Sequence, residues 1–162
     1  MAAASSSPAI SDREIVVSRT VEGPRRLVWE AWSDIRHLAH WWSPNGFTTT
    51  THSFEFRPGG VWDFIMHGPD GTDYPNRIEW REIAPPERLV YLHGEGDDDP
   101  QSFVSTVTFV ERRSVTEVTM RLLFKSKAQR DEVVEKYHAI EGGKQTLGRM
   151  AAYVATLPSP GR

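Results

Sequence analysis

The sequence predicts an α+β fold in which a curved seven-stranded antiparallel sheet wraps one long C-terminal helix, with two short helices after the first strand. Three observations point there. Between Phe56 and Gly94, strand patterns with period-two alternation meet glycine and proline breaks at regular intervals. The breaks are short (Pro58-Gly59-Gly60, Pro69-Asp70-Gly71, Pro85-Pro86), and short connections favour antiparallel neighbours. Near the C-terminus Leu147, Met150, Ala151 and Val154 recur at helical spacing and form an apolar stripe that needs a partner surface.

In chain order, residues 13–20 (REIVVSRT) have the β-branched content of a strand, which Gly23-Pro24 ends. Leu27, Val28, Ala31, Trp32 and Ile35 then share one side of a helix, and Asp34 is placed to cap a second, short helix through His37, Leu38, Trp41 and Trp42. That helix closes at Ser43-Pro44-Asn45-Gly46. Six strands follow, at about 47–56, 60–67, 73–83, 88–95, 102–112 and 115–124. Ser126 and Gln129 have capping-box spacing and open a third helix through Val133, Val134 and Tyr137. Gly142-Gly143 reads as a turn into the last helix, about 143–156. Residues 1–12 (MAAASSSPAISD) read as a disordered leader, 13–157 as one domain and 158–162 as a flexible tail.

Composition narrows the functional classes. The 162 residues carry a net charge of −3 with basic residues scattered, so no nucleic-acid footprint is expected. No apolar run has the length of a membrane span, no secretory signal is apparent, and zero cysteines exclude disulfides and thiolate chemistry, so a cytoplasmic protein is expected. Six histidines lack metal-ligand spacing, and Asp97-Asp98-Asp99 before Pro100 reads as a solvated turn. Neither a metal nor a cofactor is expected. There is no nucleophile elbow or phosphate-binding loop.

The Val28-Trp29 to Trp41-Trp42 helical pair, the block FRPGGVWDFIMHGPDGTDYPNRIEWREIAPPERLVY and Gly142-Gly143 before the last helix carry a resemblance. In these features the chain resembles the SRPBCC (START-like, Bet v 1-like) superfamily, and within it the group named after the activator of Hsp90 ATPase homologue. The resemblance covers about residues 13–157 and implies a helix-grip fold. It also implies a cavity between sheet and last helix for a small apolar, aromatic or lipid-like molecule.

By alternation, Trp62, Phe64, Asn76, Trp80, Tyr91, His93, Ser105, Phe109 and Met120 face that space from the sheet, with Leu147, Met150 and Tyr153 opposite. Asn76, His93 and Ser105 would orient a polar group. The alternatives are a cyclase, aromatase or hydrolase using His93 and Tyr91 for acid/base chemistry in the same space, and a protein-interaction module. A homodimer is possible. Hsp90 itself is not an expected partner, because the chain has no room for the separate N-terminal domain of the eukaryotic activator.

Overall fold

The computed structural model describes residues 12–158. The expected leader and tail lie almost wholly outside the described residues. Strand β1 (Glu14–Glu22) leads into helices α1 (Arg25–Ser33) and α2 (Ile35–Trp41). Strands β2 (Thr48–Phe54), β3 (Val61–His67), β4 (Asp73–Ala84), β5 (Arg88–His93), β6 (Phe103–Arg112) and β7 (Val115–Leu123) form a meander. Helices α3 (Lys127–Tyr137) and α4 (Ala139–Val154) complete the chain. The sheet order is β1-β7-β6-β5-β4-β3-β2, every pair antiparallel, so β1 returns to pair with the last strand and leaves β2 as the opposite edge. This is the expected helix-grip architecture, with strand limits within two residues of those read from the sequence.

Local chemistry explains the helix boundaries. Pro24 precedes α1, where its missing N–H is not needed. Asp34 caps α2 by accepting from the Arg36 amide at 2.9 Å, and Arg36 beside it holds its carboxyl below the usual range. Ser126 accepts from the Gln129 amide at 3.0 Å, while Gln129 Oε1 reaches back to the Lys125 amide at 2.7 Å.

One expectation fails at Gly142-Gly143. Both glycines lie inside α4, and the change of direction occurs at His138, in the left-handed region with φ 52°. Both glycines face neighbouring elements at a distance that would still admit a Cβ. A Cβ on Gly143 would lie 3.4 Å from Val17 Cγ2, and one on Gly142 would lie 3.5 Å from Pro44 Cγ. At these two positions α4 packs against β1 and the loop after α2.

The core fills the concave side of the sheet unevenly. Leu147, Met150 and Val154 of α4 are buried together with Ile15 and Val17 of β1. Trp32, Trp41 and Trp42, from α1, α2 and the turn after it, fill the centre, with Trp42 5.2 Å from the Trp62 ring and 6.3 Å from that of Tyr91.

Candidate functional site

Antiparallel register runs the inner face from Met66 and Asn76 at one end, through the row Trp62-Ile78-His93-Phe103 and the row Trp80-Tyr91-Ser105-Leu122, to Phe109 and Val118 at the other. Toward the short helices stand Trp62, Trp80, Leu89, Phe109 and Val118, none more than 1 % exposed. Here Trp80 packs edge-on to Phe56 at 4.9 Å, and Trp29 and Trp32 meet Phe109 at 5.5 and 5.8 Å. This half is solid. Met66, Asn76, His93, Phe103 and Leu122 are each only partly buried although they belong to the inner face. His93 pairs directly with Phe103 across the β5–β6 ladder, and the Phe103 ring lies 4.8 Å from Phe124. Helix α3 has no buried residue and makes its main contacts with β1 and α4, which leaves this part of the concave face loosely covered.

The twelve candidate residues divide accordingly. Trp62, Phe64, Trp80, Phe109, Met120, Leu147 and Met150 are buried against one another as core. Tyr91 and Ser105 are buried too, and their side chains hydrogen-bond each other. Burial pushes the Tyr91 hydroxyl strongly up, so it stays protonated. Tyr153 turns away from the sheet: its hydroxyl meets His37 Nδ1 at 2.6 Å and its ring stacks on His40 at 5.5 Å. Only Asn76 and His93 stand in the accessible half. Met66, Phe103 and Leu122, which share it, were not among the candidates. Alternation places Met66 and Leu122 on the inner face, and the Gly94 to Ser102 connection is the signal that sets Phe103 opposite His93.

The polar centre of this half is a chain of three groups. Asn76 Nδ2 donates to the Tyr74 carbonyl at 2.8 Å, and Asn76 Oδ1 lies 2.6 Å from His93 Nε2. The first bond fixes the amide, so the second must be donated by the imidazole. Loss of solvation pulls the His93 pKa down to about 4, leaving the ring neutral near pH 7 with its one proton on Nε2. Phe64 and Phe103, with ring centroids 6.4 and 4.9 Å away, offer no charge to offset that loss.

Other polar clusters are already satisfied. A surface depression of about 470 Å3 between α2 and β2 is lined in part by His40, Thr48, Thr49 and Arg149. Arg149 spends its donors on the carbonyls of His40, Ser43, Pro44 and Phe47, and the Thr49 hydroxyl donates to the Trp42 carbonyl. On the convex face His67 bridges Asp73 and Thr50, 2.7 Å from each. Among the described residues no group of three His, Asp or Glu gathers to hold a metal ion, and no helix is long and apolar enough to cross a membrane.

A curled antiparallel sheet that grips a C-terminal helix, with two short helices after its first strand, defines the START-like class. Within it, residues 22–155 match the family described as activator of Hsp90 ATPase homolog 1-like protein, and the chain belongs to that family. Solved structures agree on the fold. A protein from Arthrobacter aurescens is 23 % identical, with a TM-score of 0.83 over 92 % of this chain and 90 % of its own. One from Mycobacterium smegmatis is 24 % identical, with a TM-score of 0.79 over 90 % and 93 %. The AHSA1 protein of Silicibacter pomeroyi is 18 % identical, with a TM-score of 0.70 over 88 % and 97 %. No curated protein matches the chain.

Proposed function

We propose that this protein binds a small apolar or aromatic molecule at the accessible half of its concave face, between the sheet and helices α3 and α4. The observation that carries this is the unequal filling of the inner face: Trp62, Trp80 and Phe109 are closed off, while Met66, Asn76, His93, Phe103 and Leu122 keep accessible surface. Apolar walls around a few polar groups are the usual make-up of a small-molecule site. Membership of a family within the START-like class supports the same reading. Burying about 250 Å2 of ligand surface at about 25 cal/mol per Å2 supplies about 6 kcal/mol, against which the entropic cost of association is set.

Carriage or sensing fits better than acid/base catalysis. A general base works best with a pKa near the operating pH, and His93 at about 4 is far below it. The Tyr91 hydroxyl is bonded to Ser105 and, held protonated, supplies no base. The test is thermal denaturation with a panel of apolar aromatic and aliphatic compounds. At least one aromatic compound should raise the Tm of the native protein and not that of Met66→Arg, which puts a charge in the accessible half. No rise with any compound overturns the proposal.

A further inference from the structure

We propose that the molecule bound beside His93 is an uncharged aromatic compound bearing a hydroxyl group, a phenol or enol rather than a carboxylate, whose O–H donates to His93 Nδ1. This rests on the reading that the accessible half of the concave face is a binding site, and it names what that site selects.

The selection follows from where the protons are. The Tyr74 carbonyl can only accept, so Asn76 must present Nδ2 to it and Oδ1 to the imidazole. Oδ1 can only accept in turn, so the His93 proton sits on Nε2. Nδ1 is left with a lone pair, and none of the described residues donates to it. Phe64 and Phe103 beside the ring supply no N–H or O–H from their side chains. A ligand completes the site by bringing a donor.

A carboxylate brings the opposite. It would face a lone pair with no positive charge beside it, after giving up its own hydration. An ether or a plain hydrocarbon would occupy the apolar walls and leave Nδ1 unbonded. A phenolic hydroxyl is a strong neutral donor on a flat apolar body, and the Phe103 ring, which keeps accessible surface 4.9 Å from His93, suits such a body.

The experiment titrates the full chain by calorimetry with four probes of one shape: naphthalene, 2-methoxynaphthalene, 2-naphthol and 2-naphthoate. At pH 7.5 the naphthol should bind about three- to tenfold more tightly than the methoxy compound, the range one net hydrogen bond provides, and the naphthoate most weakly. In Asn76→Asp the new carboxylate beside Nε2 should keep the imidazole charged and turn Nδ1 into a donor, so that the naphthoate overtakes the naphthol. Equal binding of naphthol and methoxy compound by the native protein overturns the hydroxyl assignment while leaving an apolar site standing. Tightest binding of the naphthoate by the native protein also overturns the assignment. No binding of any probe removes the site together with the assignment. The native-protein comparison decides the assignment alone if the variant does not fold.

Discussion

Asn76 Oδ1 lies 2.6 Å from His93 Nε2, a bond between two inner-face residues of neighbouring strands that gives the accessible part of the concave face its polar centre. With its pKa drawn down to about 4, His93 remains neutral in the fold while an unfolded chain protonates it near 6.5. Between those values the unfolded state binds more protons, so stability falls as pH is lowered from about 6.5 to about 4 and this contribution is then exhausted. The loss amounts to about 3 kcal/mol at most. Urea denaturation of the native protein and His93→Gln across pH 4.5–7.5 should show a slope in the first that is largely missing from the second.

The two halves should answer differently to truncation. Trp42 is 7 % exposed and packs against Trp32, Trp41, Trp62, Phe64 and Tyr91, so Trp42→Ala should cost about 3–5 kcal/mol. Phe103 keeps accessible surface, and Phe103→Ala should cost about 1–2 kcal/mol, a fraction of full burial. Equilibrium denaturation of both variants checks the contrast. Equal costs would mean that the accessible half is as tightly filled as the other.

Arg149 ties α4 to the segment after α2. Its Nη1 donates to Ser43, Pro44 and Phe47 carbonyls at 2.9, 2.9 and 3.3 Å, bonds that a flexible ammonium reproduces only in part. Arg149→Met should destabilise by about 2–3 kcal/mol and Arg149→Lys by less. Hydrogen exchange should speed up at the Trp42 and Phe47 amides, whose bonds lie in that segment.

Gly143 separates packing from helix propensity. In Gly143→Ala the methyl makes ordinary contact with Val17, and the gain in helix propensity of about 1 kcal/mol offsets any crowding, so stability should change by less than about 1 kcal/mol. Gly143→Leu should push α4 from β1 and cost about 2 kcal/mol or more. Thermal melts of the two variants distinguish a helical glycine from one needed in a turn, where alanine would already be disruptive.

The strands were legible because each carries its own punctuation: Gly59-Gly60, Asp70-Gly71 and Pro85-Pro86 mark ends that the antiparallel ladder respects. The cap residues Asp34 and Ser126 were legible for the same local reason. Gly142-Gly143 was not, since two glycines inside a helix look, in sequence, like two that break a chain. Alternation identified the inner face, yet it assigns Trp80 and His93 to that face alike. What separates them is that the Phe54 and Phe56 rings come to rest on Trp80, a packing matter that no local pattern carries. Tyr153 was misplaced because its helical position fits both sides of α4, and its contact with His37 spans more than a hundred residues of chain.

The most direct measurement is an amide NMR titration of the full chain with 2-methoxynaphthalene, a probe that tests the apolar site without calling on the His93 hydrogen bond. Shift changes should concentrate at Met66, Asn76, His93, Phe103 and Leu122 and leave Trp80, Phe109 and Val118 nearly unmoved. Changes confined to the depression between α2 and β2, or no saturable change anywhere, would contradict a binding site on the concave face.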